Sequence, residues 1–275
     1  MKKSIVMALF ATAFALSLTS CGEAPTNEVS GVSDVLGEPL VTEGNKVESG
    51  EAISDGEKQP DEDVVYVKVK QICYNPDGSY GSTISWEYDE RGFVNKEIVS
   101  YIGEDNQTFT FWYDEICDDD GNIIDDRYMT DAGLAQYWIN KYDEHNNRIE
   151  SITYGPDDNI MFVEKSTYEY DDAGRKIKES TEQKQNGFDF GMAIEISYTY
   201  DEDGKLLSTL NTYGAENIYE YDDNGYLIKI TTKSSGSEVV TLYTNDDKGN
   251  LIKEEYFNLD GSPNGYSEYE YAPAK

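Results

Sequence analysis

The sequence predicts an all-β protein, an antiparallel meander of β-hairpin repeats forming a coiled or solenoid-like sheet. Three observations carry that expectation. A short turn motif ending in Gly or Asn recurs seven times, aromatic and polar residues alternate before it, and aromatic residues recur from Tyr66 to Tyr271. Alternation at period two marks a half-buried strand, since a helix would repeat its apolar residues near every 3.6 positions.

The turn comes first because it sets the period. Its reference positions are Gly92, Gly121, Asn146, Gly174, Gly204, Gly225 and Gly249, spaced by 21 to 30 residues. Asn is the other residue that tolerates positive φ, so its presence at one member of the series says that the position needs a left-handed backbone. Asp at the first corner, two polar residues and a left-handed residue describe a type I turn closed by a bulge. The Asp carboxylate, as at Asp171, Asp201 and Asp222, can accept N–H groups inside that turn. A second Gly follows 9 to 13 residues later, at Gly103, Gly133, Gly155, Gly187, Gly214, Gly236 and Gly261, so each repeat is a hairpin plus its return.

Strands follow from the residues between the turns. Trp86/Tyr88, Tyr168/Tyr170, Tyr198/Tyr200 and Tyr219/Tyr221 flank a polar residue, which gives one aromatic and one polar face. After the turn an aliphatic pair recurs, as in Ile123-Ile124, Leu206-Leu207, Leu227-Ile228 and Leu251-Ile252. Neighbours on a strand point to opposite faces, so the pair implies apolar contact on both. About fourteen to sixteen strands in sequence must coil, close or stack as twist accumulates. Terminal repeats are expected to be atypical caps, and YEYAPAK breaks off after one strand at Pro273.

The segments outside the repeat read differently. Lys2 and Lys3 precede an apolar run from Ile5 to Leu18, too short and wrongly flanked for a spanning helix and fitting a secretory signal. Leu18-Thr19-Ser20-Cys21 resembles the bacterial lipobox, which implies lipidation of Cys21 after cleavage. From Gly22 to Val65 there is no aromatic residue, and 12 acidic side chains stand against 2 basic ones. Such a segment buries too little apolar surface to order itself, and as a flexible coil it spans about 35–40 Å. The expected organisation is a signal over 1–20, an acidic tether with lipidated Cys21 over 21–63, and a β domain of about seven repeats over 64–275.

With YDDAGRKIKE at Tyr170 and YDDNGYLIKI at Tyr221, the repeat resembles the YD (RHS-type) repeats of bacterial surface and toxin proteins. The resemblance implies an all-β array that coils into a shell in large members, with carbohydrate-binding or cargo-enclosing roles. The chain is short, has Arg after the turn Gly only at Arg175, and ends inside the array, so a small lipid-anchored array outside the cell is the closer likeness.

Composition limits the chemistry. The net charge of −33 disfavours nucleic acid and anionic lipid as direct partners, since each would add repulsion instead of releasing counterions. One histidine, His145 in a turn, excludes a histidine triad or a histidine zinc site. The 55 acidic residues make paired carboxylates uninformative by themselves, and no catalytic residue is assigned. No cofactor is expected; calcium stays open because DDDGN at Asp118, DEDG at Asp201 and DDNG at Asp222 gather carboxylates without the full EF-hand series. Cys73 and Cys117 either pair or stay buried thiols. Trp86, Trp112 and Trp138 are the candidate ligand-binding residues, because flat rings stack on sugars; Trp86 and Trp138 share a face parity and Trp112 has the other. The expected function is a non-catalytic binding module for a surface glycan or an envelope protein, with a structural spacer as the alternative and self-association through sheet edges as a further partner mode.

Overall fold

The computed structural model describes residues 65–103, 107–185 and 188–274, and the side chains of all of these but 188–192. The expected signal, the lipidated Cys21, the tether and the turn at Gly187 lie outside the described residues. Within them the chain forms sixteen strands: β1 (Tyr66–Tyr74), β2 (Tyr80–Tyr88), β3 (Val94–Ile102), β4 (Thr108–Cys117), β5 (Ile123–Thr130), β6 (Gly133–Tyr142), β7 (Arg148–Tyr154) and β8 (Ile160–Tyr170). They continue as β9 (Lys176–Gln185), β10 (Phe188–Tyr200), β11 (Leu206–Asn211), β12 (Glu216–Tyr221), β13 (Leu227–Ser234), β14 (Ser237–Asn245), β15 (Leu251–Phe257) and β16 (Pro263–Pro273).

Each strand pairs antiparallel with its sequence neighbours, and β16 pairs with β1. The sheet is therefore a closed barrel, not the open coiled or solenoid-like sheet that the repeat suggests. Two corrections follow from closure. β1 and β16 bond to each other over Tyr66↔Pro273 to Tyr74↔Tyr266 in place of acting as caps. Closure also removes the free edges, so association through sheet edges has no unpaired strand to use. Among the described residues no strand comes within 8 Å, Cα to Cα, of any but its two barrel neighbours.

The recurrent turn has one geometry. Asp89 N–H donates to Phe93 O at 2.8 Å and Gly92 N–H to Asp89 O at 3.1 Å, and the same pair of bonds recurs at Asp118, Asp143, Asp171, Asp201, Asp222 and Asp246. The Asp carboxylate accepts two further N–H groups, as Asp222 does from Asn224 and Tyr226. Gly92 to Gly249 in this series have φ between 80° and 89°, and Asn146 has φ 61°. At the opposite ends of the strands the pattern is looser: in the β7–β8 turn Gly155 takes the first corner and Asp158 (φ 60°) the left-handed place.

The aliphatic pair after the turn does not signal burial on two faces. Every one of these hairpins has a register shift there, for example Glu220↔Lys229 followed by Tyr221↔Leu227, which makes Ile228 the extra residue of a bulge. Ile149, Ile177, Leu207, Ile228 and Ile252 occupy that extra position and are each 36–40% exposed. A bulge frees backbone carbonyls, and the residue before the turn Asp reaches across to them. Tyr142 OH donates to Ile123 O, Tyr200 OH to Lys176 O and Tyr221 OH to Leu206 O, at 2.7–3.0 Å, and Tyr271 OH, at the matching place in β16 with no turn Asp after it, to Leu251 O at 3.0 Å. Where the position holds Asn245 its amide donates to Leu227 O, and where it holds Cys117 its thiol reaches Val94 O. The Tyr of Tyr-Asp thus caps the preceding hairpin while the Asp caps its own turn.

Successive turns also stack on one another, because an up-and-down barrel places all seven at one rim. A Cβ on Gly121 would lie 2.8 Å from the Phe93 ring, and one on Gly249 only 2.4 Å from the Tyr226 ring, each ring coming from the turn before. Asn146 is tolerated where the preceding turn offers Asn122, whose amide donates to Asn146 Oδ1 at 3.1 Å. Gly249→Ala is expected to cost about 2 kcal/mol and Gly174→Ala, with nothing within 4 Å of its Cβ, about 1 kcal/mol. Chemical denaturation checks this, and adding Tyr226→Ala to Gly249→Ala should bring the two costs together.

Candidate functional site

Buried and exposed residues alternate along the strands, and the register joins the buried positions into one continuous wall. In β8, Phe162 and Glu164 are buried while Lys165, Thr167 and Glu169 are exposed. The buried face is the inner one. Its residues are unusually polar for a protein interior: Gln71, Asn140, Ser151, Thr153, Glu164, Thr209, Glu254 and Ser267 are all buried there, beside tyrosines and tryptophans. The outer face carries ion pairs across mid-strand, with Lys165, Glu150 and Lys141 linked over β8, β7 and β6 and Lys229–Glu220, Lys178–Glu195 and Lys70–Glu270 at 2.7–3.2 Å elsewhere.

Inner-wall carboxylates come with cations. At the closing seam Tyr256 OH and Tyr269 OH donate to Glu254 Oε2 at 2.5 and 2.6 Å, and Gln71 Nε2 and Tyr256 OH both meet Ser267 Oγ at 3.1 Å. Lys68 lies over the Trp86 ring at 4.5 Å and the Tyr269 ring at 5.1 Å. Burial pulls the Lys68 ammonium below its usual range, and Glu254 and Glu97 oppose that pull. Trp86 Nε1 donates to Glu97 Oε2 at 2.7 Å. Farther round, Glu164 has Arg148 at 3.7 Å, and Glu179 has Lys176 at 3.3 Å, the latter over the Tyr168 and Tyr198 rings.

One pair breaks this rule. Glu115 of β4 and Asp126 of β5 are direct register partners, and Asp126 faces Trp138 of β6. Tyr113, Tyr128 and Trp138 surround them, with ring centroids 5.4 and 6.2 Å from Tyr113. Burial first, then Asp126 and Glu97, push the Glu115 carboxyl up to about 8. Burial first, then Glu97 and Asp125, push Asp126 up to about 7. Glu115 Oε2, Asp126 Oδ1 and Asn140 Oδ1 are buried without a hydrogen-bond partner.

The three tryptophans do not form one patch. Trp86 and Trp138 line the inner wall, whereas Trp112 lies on the outer face, with Lys96 over its ring at 5.2 Å and Asp114 accepting from its Nε1 at 3.3 Å. All three are half-buried. The turn residues Gly92, Gly121, Asn146, Gly174, Gly204, Gly225 and Gly249 sit at the rim and hold no ligand-facing group of their own. Cys73 on β1 and Cys117 on β4 are buried thiols that form no disulfide with each other. Among the described residues no group of three acidic, Cys or His side chains could hold a metal ion, and Asp118 Oδ1 is taken by Asp120 and Asn122 N–H groups. A rim groove of about 520 Å³ between the Asp222 and Asp246 turns is lined by Tyr226, Ile228 and Tyr243, but both Asp carboxylates already accept turn N–H bonds. Glu97, Glu115 and Asp126 went unnoticed in the sequence because 55 acidic residues hide them; period-two parity with Trp86 and Trp138 is the signal that could have picked them out.

No family model matches the chain, and no curated protein matches it in sequence. Among solved structures it is similar to a porin-like protein from Bacteroides uniformis ATCC 8492, at 10% identity and a TM-score of 0.51, over 74% of this chain and 97% of that one. A porin-like protein from Bacteroides vulgatus ATCC 8482 is similar at 12% identity and a TM-score of 0.37, over 75% and 98% of the two chains. At such identities the first likeness concerns the antiparallel all-β fold alone.

Proposed function

We propose that the protein is a non-catalytic binding module of the YD-repeat type, carried outside a bacterial membrane by lipid on Cys21 and the acidic tether, whose inner barrel wall takes a surface glycan. The observation that carries this reading is the pairing of ring and carboxylate on that wall: Trp86 with Glu97 and Trp138 with Asp126. Aromatic faces stack on sugar rings while carboxylates bond hydroxyls, and closed barrels of about sixteen strands are in general wide enough to leave an inner channel. The salt-bridged outer face supports a barrel that stands in water, because a membrane barrel presents an apolar band about 25 Å tall to lipid. An envelope protein is the other partner class, reached from the rims or the outer face, and a spacer without ligand is the structural alternative.

Calorimetry of the full-length chain against envelope glycans tests the reading. Trp86→Ala or Trp138→Ala should weaken binding at least about tenfold, while Trp112→Ala on the outer face leaves it within about twofold. Equal losses for all three variants, or saturable binding that ignores them, would remove the inner wall as the site. The Glu115–Asp126 pair favours a second reading, glycoside hydrolysis, because converging carboxylates with raised pKa values can supply a general acid. Both are raised, which weighs against an ionised partner near neutrality; release of chromophore from aryl glycosides that stops in Glu115→Gln would establish it.

A further inference from the structure

We infer that the ligand of the inner wall carries an ammonium group, and that Glu115, Asp126 and Asn140 receive it within the aromatic box of Tyr113, Tyr128 and Trp138. This deepens the glycan reading above by naming the chemistry of the part of the ligand that is gripped.

The argument rests on comparison within the molecule. Glu254 and Glu97 have Lys68 between two aromatic rings, Glu164 has Arg148, and Glu179 has Lys176 over Tyr168 and Tyr198. In each case the chain supplies a cation to a carboxylate lodged among aromatic side chains. At Glu115 and Asp126 the same surroundings recur, yet the charges acting on the pair are all negative, from Glu97, Asp125 and Asp126 itself. Among the described residues no ion pair reaches either carboxylate. Arg127, the basic residue next in sequence, is held on the outer face by two bonds of 2.9 Å to Asp125.

A second observation is independent of charge. Asn140, 8% exposed, donates its amide to Ile123 O at 2.9 Å, which fixes the side chain and leaves its Oδ1 buried and unpartnered. Asn140 is two residues from Trp138 on β6, on the same face, beside the Glu115–Asp126 pair. Buried polar atoms are normally satisfied, yet here Asn140 Oδ1 and one oxygen of each carboxyl have no hydrogen-bond partner. A primary ammonium has three N–H donors and is attracted to aromatic faces, so it meets both the acceptors and the rings. A bare metal ion would find only two carboxyls here, with no group of three acidic, Cys or His side chains among the described residues. A quaternary ammonium would satisfy the rings and leave the oxygens unpaired.

The test is calorimetry of the full-length chain near neutral pH with cadaverine, glucosamine and N-acetylglucosamine as probes, for the wild type and for Glu115→Gln/Asp126→Asn. Cadaverine and glucosamine should bind at least about tenfold more tightly than N-acetylglucosamine, and the double variant should lose that preference while keeping its melting transition. Binding should also release protons, seen as a heat that changes with the ionisation enthalpy of the buffer. N-acetylglucosamine binding as well as glucosamine, with loss in Trp138→Ala, overturns the inference and leaves the glycan reading standing. Cadaverine binding without any sugar binding upholds the inference and removes the glycan reading. If the folded protein binds none of the probes up to tens of millimolar, or if the double variant binds amines as the wild type does, the inference fails.

Discussion

Removing Pro263–Lys275 should abolish the folded monomer. The deletion takes away β16, and with it both the β1–β16 and the β15–β16 ladders, so β1 and β15 become unpaired edges. It also removes Ser267 and Tyr269 from the seam, leaving Gln71 without its Ser267 bond and Glu254 with one tyrosine donor fewer. Buried polar groups stripped of partners cost about 1–3 kcal/mol each, and the lost ladders add to that, so the sum approaches a typical domain's whole stability of about 5–15 kcal/mol. New edges would then drive pairing between chains. An open repeat array behaves differently, because losing one terminal strand costs it one increment only. Size-exclusion chromatography with thermal melting separates the two: a soluble truncated monomer melting within a few degrees of the intact chain would contradict the closed barrel.

The second large effect is a loss of stability as pH rises. Glu115 and Asp126 are pushed up to about 8 and about 7, so the folded state holds protons there that the unfolded chain releases near pH 4–4.5. Where the native state binds more protons than the unfolded one, stability falls with increasing pH. The contribution of the pair is therefore full below about pH 4, declines as pH rises through about 8, and is flat above. At about 1.4 kcal/mol for each pKa unit, the fall for the coupled pair amounts to several kcal/mol. Glu97 and Glu164, also raised chiefly by burial, act in the same direction. Turn aspartates act oppositely at more acid pH: the Asn122 amide holds Asp118 below the usual range and the Arg175 N–H does so for Asp171, so their help is lost on acidification. Melting the wild type and Glu115→Gln/Asp126→Asn at about pH 5 and about pH 9 reads the pair directly. The variant should melt above the wild type at the higher pH, and curves that fall in parallel would show that other groups set the slope.

This pH response and the seam network share an origin. The inner wall mixes buried Ile84, Val99, Phe162, Ile196 and Leu206 with tyrosine, tryptophan and carboxylate, so part of its stability comes from hydrogen bonds and cation–ring contacts that titrate. Lys68, Arg148 and Lys176 neutralise three parts of that wall. The Glu115–Asp126 part has no such cation, and both its carboxyls are raised chiefly by burial.

Much of this architecture was legible in the sequence. The turn series from Gly92 to Gly249 was readable because a left-handed residue after Asp-x-x leaves a local signature that no other contact is needed to explain, and Asn146 marked the exception. Strand identity and the split of Trp86 and Trp138 from Trp112 followed from period two, which is a property of the extended backbone itself. Local rules did less well after the turn, where Leu227 and Ile228 looked like neighbours on opposite faces; a bulge is a feature of the pair of strands and is invisible in one of them.

What the sequence by itself determined, then, is everything set within one hairpin: the Asp-capped turn, its left-handed residue, and the alternation of ring and charge. Tertiary structure alone decided that Pro273 meets Tyr66 and closes the sheet, that Tyr hydroxyls reach carbonyls of the hairpin before, and that Glu115 and Asp126 meet without a cation. Those outcomes depend on summed strand twist and on register between residues far apart in the chain, and no local pattern encodes either.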